Sequence, residues 1–476
     1  MPSLSTVVCS QRVALALQYL LEAYDAVQLR RTATAFRGVK VLHLRVAGHS
    51  HGYYWKAALR ALRNLRTLAL VGCKLGASEA LVVGAWIAHK DNGALASVNI
   101  LGNSIGVEQA NSLVKIMESH ESLKTLCGFS GDEKELDLSG EGLTAGCAVL
   151  VSNEIKNNGT LTSLNMSNNY LGIPVLPEGW ESEDGDNQAP WVHTDGRRME
   201  DGHPGTIAIA DAIQNHRMLT KLDIRENFLH ADGTYALARG LKNNRVLSEL
   251  NLADNRMSFS RDNTYADLSG VIALADAILT MEALETLNMN TNFIACKEAG
   301  RALAEVLKTN TVLKELDVSK NHNVFWEGAM DGPGFAEELA VGLSANASLT
   351  SLNISDNGFG IHWRADESED EDEDDEEEVK HGVIAIIDAI NTMGALTSVN
   401  ILSNEIGANQ ANELIAIMAS KPNLKTLCGF SGEETELDLS NQQATTGCLV
   451  LVSNEVNKIG ALVKLNMSGN AFYYEE

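Results

Sequence analysis

Tryptophan, tyrosine and carboxylate side chains crowd into a few short stretches of this 476-residue chain, and these stretches hold most of its chemical potential. Trp180 and Trp191 lie in LPEGWESEDGDNQAPWVHTDG, Trp326 in NVFWEGAMDGPG, Trp363 and Arg364 in GIHWRADESEDEDEDDEEE, and Tyr53, Tyr54 and Trp55 in GHSHGYYWK. Five of the six tryptophans fall there, although aromatics make up only 5% of the chain. Trp, Tyr and Arg supply large, rigid contacts and dominate the energetics of protein interfaces, so these residues are the candidates for partner binding. The alternative is that each Trp only pins its own loop to the scaffold. From Asp366 to Glu378 twelve of thirteen residues are acidic, and without them the net charge of −26 would be −14. Such a run repels itself and buries nothing, so it is expected to be a solvated loop. Its further roles would be attraction of a basic partner, weakened by salt, or loose Ca²⁺ binding without a fixed cage.

Other constellations offer less. His49 and His51 form an H-x-H pair, and His193 and His203 follow later, but no third ligand stands at a fixed spacing. EDGDNQ at 183–188 has the acids of a calcium loop without its twelve-residue pattern or closing Glu. Seven cysteines, an odd number with no C-x-x-C pair, suggest a reducing intracellular compartment and no zinc. Phosphate-binding, nucleophile-elbow and metalloprotease motifs are missing, so neither catalytic residues nor a cofactor is expected. A charge of −26 disfavours nucleic acid and anionic membranes, both of which need a positive surface. No apolar run approaches the 18 residues of a membrane span, and MPSLSTVVCSQRVALALQYL lacks the basic start of a signal peptide.

What must position these residues is a repeat. The spacing L-x-x-L-x-L-x-x-N-x-L recurs, as in Leu219, Leu222, Ile224, Asn227, Leu229, with 28 residues from Leu219 to Leu247. Alternating apolar and polar places predict a short strand with one buried face. The following EAGRALAEVLKTN places Ala299, Leu303, Val306 and Leu307 on one helical stripe. The fold expected is an α/β solenoid, a leucine-rich-repeat horseshoe with a concave parallel β-sheet and convex helices. The motif asparagines Asn103, Asn169, Asn227, Asn255, Asn292, Asn321, Asn357, Asn404 and Asn470 are expected to satisfy turn backbone, with Cys73 in that place in the first clear repeat.

Fifteen strand starts are expected, at Val39, Leu65, Leu95, Leu123, Glu133, Leu161, Leu219, Leu247, Leu284, Leu313, Leu349, Leu396, Leu424, Glu434 and Leu462. Two gaps, Leu123 to Glu133 and Leu424 to Glu434, span only ten residues and leave no room for a helix. Residues 94–169 also align without gaps with residues 395–470 at an offset of 301, at about 60% identity, which marks an internal duplication. Insertions at about 173–204, 258–268, 323–333 and 361–380 all follow the motif Asn and precede the helix, so they are expected on one rim, where the Trp-bearing stretches lie.

Twenty-eight-residue repeats with helices such as YALARGLKNN and RALAEVLKTN resemble the ribonuclease-inhibitor-like leucine-rich repeat family over about Val39 to Phe472. The resemblance implies fold more than function, since the class spans inhibitors, GTPase-activating proteins and immune and cytoskeletal receptors. The dense cysteines of ribonuclease inhibitor are missing here. The expected domains are a helical N-terminal cap at 1–38, with Gln11 to Phe36 helical, and the solenoid at 39–476. The last repeat ends without a helix, so an uncovered C-terminal edge is expected to dock on another subunit or a second copy. The function expected is a non-enzymatic interaction scaffold or adaptor with protein partners, binding through the aromatic and acidic rim. A GTPase-activating protein like the Ran activator, using an arginine such as Arg364, and an acidic chaperone for basic proteins are the alternatives.

Overall fold

The computed structural model describes residues 6–8, 41–45, 65–172, 180–182, 191–193, 203–214, 216–260, 266–322, 331–360, 381–442 and 444–470. The chain divides into two compact units, residues 1–219 with 227–229, and residues 220–226 with 230–476. In the first, strands β1 (Thr6–Val8), β2 (Val41–Arg45), β3 (Thr67–Val71) and β4 (Ser97–Asn99) form one parallel sheet, and β5 (Glu135–Asp137) pairs in parallel with β6 (Ser163–Asn165). Helices α1 (Ala77–Ile87), α2 (Val107–Ser119), α3 (Ala145–Ile155) and α4 (Pro204–Gln214) alternate with these strands.

In the second unit, β9 (Lys221–Asp223), β10 (Glu249–Asn251), β11 (Thr286–Asn288), β12 (Glu315–Asp317), β13 (Ser351–Asn353) and β14 (Ser398–Asn400) lie parallel in chain order. Their register puts Leu222, Leu250, Leu287, Leu316, Leu352 and Val399 in one row, each at most 3% exposed. Helices α5 (His230–Leu241), α6 (Ser269–Ile278), α7 (Lys297–Thr309), α8 (Gly332–Ala345), α9 (His381–Thr392), α10 (Ala408–Ser420) and α11 (Thr446–Val456) follow the strands. The pair β15 (Glu436–Asp438) and β16 (Lys464–Asn466) completes the unit. Helix α7 buries Ala299, Leu303, Val306 and Leu307, the stripe that covers the strand layer. The fold is an α/β solenoid of leucine-rich repeats.

The motif asparagines tie one repeat to the next. Asn321 donates through Nδ2 to Met289 O at 3.2 Å and Val318 O at 2.8 Å, while its Oδ1 accepts from Asn292 N at 2.7 Å. The same relay runs from Asn255 N to Asn292, from Asn321 N to Asn357 and from Asn357 N to Asn404. Asn103 and Asn169 make the equivalent bonds, Asn103 Nδ2 to Leu70 O and Asn169 Nδ2 to Leu138 O, and Asn227 Nδ2 donates to Met166 O. Every such donor would otherwise face a buried carbonyl left unpaired, at roughly 1–3 kcal/mol each. A second set of polar residues turns the chain from helix to strand: Asn310 Oδ1 accepts from Val312 N and Leu313 N, and His216 Nδ1 from Met218 N and Leu219 N.

Three features differ from sequence expectation. The stretch expected as a helical cap contributes a strand, Thr6–Val8, and its residues 11–36 lie outside the described ones. The repeats starting at Leu123 and Leu424 make isolated bridges instead of strands: Thr125 with Ser97 in parallel and Cys127 with Asn99 antiparallel, and likewise Thr426 with Ser398 and Cys428 with Asn400. The chain reverses just after, at Gly128 (φ +79°) and Gly429 (φ +74°), conformations that favour glycine. The third feature is a hairpin inside the first insertion, formed by β7 (Trp180–Ser182) and β8 (Trp191–His193).

Candidate interaction site

In the second unit the insertions at 258–268, 323–333 and 361–380 leave the C-terminal ends of β10, β12 and β13, which are parallel strands of one sheet. They therefore depart from one edge of that sheet, and their described bases are fixed by specific contacts. At the first of them Phe259 and Ala266 form an antiparallel bridge, Asp267 N donates to Ser258 O at 2.7 Å, and the buried Phe259 ring meets Phe293 at 5.1 Å between centroids. At the second, Asp331 caps α8 by accepting from Gly334 N at 2.7 Å, while its own N–H donates to Ala295 O at 3.0 Å. That cap satisfies one orphan amide of the helix and fixes where the insertion returns. The fully buried Phe335 then meets Phe359, which opens the third insertion, at 6.3 Å.

His322 and Asp356 stand at the roots of the last two insertions. Burial pushes the His322 imidazole down and the Asp356 carboxyl up from their usual ranges; attraction between the pair opposes both shifts, and Lys320 further opposes the rise at Asp356.

The insertion in the first unit is anchored in its own way. Gly172 N donates to Asn227 O at 3.0 Å and Tyr170 stacks on Phe228 at 6.4 Å with planes 7° apart; on the return side Ile207 N donates to His203 O at 2.8 Å. Between them, β7 and β8 pair antiparallel with Trp180 opposite His193 and Ser182 opposite Trp191. The other partner-binding candidates, Tyr53, Tyr54, Trp55, Trp326, Trp363, Arg364, Asp366 and Glu378, lie outside the described residues.

The strand face carries a cavity. It has a volume of ≈ 340 Å³ and is lined by Asn288, Glu315, Asp317, Asn353 and Asn400 among others. Within its lining Asn353 Nδ2 donates to Asp317 Oδ2 at 3.0 Å, and Asn400 Nδ2 reaches outside it to Ser355 Oγ at 3.3 Å. Along the same strands Lys221 pairs with Glu249 at 2.7 Å and Lys314 with Glu285 at 2.8 Å, exposed contacts of small energetic weight.

Sequence reasoning also missed a pair of carboxylate clamps, one in each copy of the duplication. Glu154 on α3 accepts from Thr125 Oγ1 at 2.7 Å, Leu126 N at 2.5 Å and Cys127 N at 3.0 Å. Glu455 on α11 accepts from Thr426 Oγ1 at 2.6 Å, Cys428 N at 3.3 Å and Leu427 N. Each holds a helix-less turn onto the helix that follows it. Burial raises the Glu154 pKa, although the hydrogen bonds from Thr125, Leu126 and Cys127 pull it down. A second carboxylate closes each loop tip: Glu133 accepts from Ser130 N and Gly131 N, and Glu434 from Ser431 N and Gly432 N. Burial pushes both up, but the Ser and Gly donors outweigh it and hold both below the usual carboxylate range.

Two buried thiols, Cys127 at a clamp and Cys296 at the start of α7, are held in the protonated form by their surroundings. Burial, reinforced by Glu154, pushes the Cys127 thiol well up, and burial raises Cys296 to about 11. Among the described residues no group of three or more His, Cys, Asp or Glu is placed to hold a metal, and no helix is long and apolar enough to cross a membrane.

Residues 345–360 match a family model described as a leucine-rich repeat. No curated protein matches the chain. Among solved structures, an actin-binding site 2 fragment of leiomodin-1 aligns at 18% identity and a TM-score of 0.26, covering 41% of this chain and 91% of that one. A leucine-rich repeat-containing protein, LegL7 from Legionella pneumophila, aligns at 14% identity and a TM-score of 0.34, covering 81% of this chain and all of that one.

Proposed function

We propose that this protein is a non-enzymatic scaffold that captures a basic protein partner along the strand-to-helix rim. One observation carries the reading: three insertions of the second unit spring from one sheet edge, and each root is locked by buried aromatic rings or a helix cap. Roots of this kind fix where each insertion leaves or rejoins the solenoid. The rim sequences supply the two components an interface needs, aromatic anchors such as Trp326 and Trp363 and a field of twelve acids at 366–378. The first insertion, in the other unit, carries Trp180 and Trp191. Long insertions on one side of a solenoid commonly mark its binding side.

The test replaces 361–380 with a neutral linker of equal length and compares capture of basic proteins from native lysate at 0.05 and about 0.3 M salt, where the screening length is well below 10 Å. The expected result is salt-sensitive capture by the intact protein and its loss in the variant. Equal capture by both proteins at both salt concentrations would overturn the reading.

A further inference from the structure

Where a helix gives way to the next strand, one side chain holds the turn. In four described repeats it is an asparagine: Asn158, Asn244, Asn310 and Asn346 each accept, through Oδ1, from the backbone N–H groups two and three residues on. Asn346 also reaches back through Nδ2 to Leu307 O at 2.9 Å and Asn310 O at 3.2 Å, at the end of the preceding helix. In two repeats a histidine takes this place. His216 Nδ1 accepts from Met218 N at 3.3 Å and Leu219 N at 3.1 Å, and His120 Nδ1 from Ser122 N at 3.3 Å and Leu123 N at 3.1 Å. His120 is half-buried, whereas His216 is only 7% exposed. The Nε2 of His216 is buried as well and lies toward the carbonyls of Ile155 and Asn158, the counterparts of Leu307 and Asn310.

An asparagine can hold such a turn at any pH, but an imidazole can do so in one form only. Two backbone donors require a lone pair on Nδ1, so the proton of the neutral ring sits on Nε2. A second proton makes Nδ1 a donor aimed at two donors, and the Met218 and Leu219 amides lose their acceptor. Burial pushes the His216 imidazole below its ordinary value of 6.5, against the pull of the Asn158 and Ile155 carbonyls, so the fold selects the neutral form. Among the described residues on the elements around the turn, Glu154 is committed to its clamp and Glu133 to its loop tip, while Lys156, Asp211, Arg217, Lys242 and Arg245 are exposed.

We infer that the turn from α4 to β9 is a proton-operated latch, closed by neutral His216 and released when His216 is protonated. Release loosens the end of α4 and the entry to β9, and leaves the turns held by asparagine shut. Because the value in the fold is lowered, the stability that His216 contributes is present above 6.5 and is lost as pH falls through that lowered value.

Hydrogen exchange on the full chain between about pH 7.5 and 5, expressed as protection relative to the intrinsic rate at each pH, tests the inference. Protection at Met218 and Leu219 should fall about tenfold or more on acidification, as two backbone bonds are lost, while protection at Ser348 and Leu349 should hold. H216N, which installs the residue of the other repeats, should keep protection at Met218 and Leu219 constant over the same range. The His216 ring resonance should titrate with a midpoint below 6.5 that coincides with the loss of protection. Protection that stays constant in the intact protein, that falls equally in H216N, or that survives protonation of the ring would overturn the inference.

Discussion

Residues 94–169 and 395–470 share about 60% of their sequence, and corresponding residues make corresponding hydrogen bonds at the helix-less turn. In both, a Glu on the following helix clamps a helix-less turn, and in both a second Glu closes the loop tip. In both a glycine lets that helix approach the preceding strand turn: a Cβ on Gly146 would overlap Ile105 O, and one on Gly447 would overlap Ile406 O. Yet Asn169 is 1% exposed whereas Asn470 is partly exposed, and Leu164 is buried whereas Leu465 is not. One module thus has two energetic values according to its neighbour. The clamp is set inside the module, and the worth of the flank is set by what covers it.

The clamps should give the largest effects. Glu455→Ala strands two backbone N–H groups and a hydroxyl in a site only 5% exposed, and should cost about 3–6 kcal/mol. Glu154→Ala removes the same bonds where water has readier access, and is expected to cost about 2–4 kcal/mol. Hydrogen exchange at Leu427 and Cys428 against Leu126 and Cys127 reads both; equal costs would show that burial does not separate the copies.

A smaller contrast follows along the asparagine relay. Asn321→Ala should cost about 2–4 kcal/mol, because it unpairs Asn292 N and removes the donor to three carbonyls at a fully buried site. Asn470→Ala should cost about 1 kcal/mol, as its partners Leu439 O and Met467 O lie nearer solvent. Denaturant unfolding of the two variants measures the difference.

The smallest effect concerns pH and separates the two kinds of carboxylate. Glu133 and Glu434 sit below their ordinary value of 4.5, so the stability they contribute is present above it and is lost as pH falls through their lowered values. Glu154 sits above 4.5, so its contribution is present below 4.5 and is lost as pH rises through its raised value. Side-chain carboxyl resonances should therefore titrate below 4.5 for Glu133 and Glu434 together, and above it for Glu154. A common midpoint for all three would mean that the loop-tip hydrogen bonds and the burial of Glu154 do not act as described.

The solenoid was legible because leucine spacing reports burial directly: the row from Leu222 to Val399 and the stripe of α7 are read off one segment at a time. The clamps were not, because Thr125 and Glu154 are 29 residues apart and a Glu on a helix ordinarily faces water. Comparing the copies could have revealed them, since Thr125 and Thr426, and Glu154 and Glu455, stay the same while Ile155 and Lys156 become Val456 and Asn457. Thr6–Val8 escaped notice because three residues set no period. The strand-face cavity depends on five successive repeats at once, which no single segment encodes.

We propose that departures from the repeat, and not the repeat itself, bind the partner. It is tested most directly by affinity capture and mass spectrometry with the full chain against a variant in which 173–202, 323–330 and 361–380 are replaced by neutral linkers. Pro204 and Asp331, which start or cap helices, are left in place. The variant should keep its circular dichroism and thermal transition and lose the basic proteins enriched by the intact chain. An unchanged set of captured proteins would contradict it.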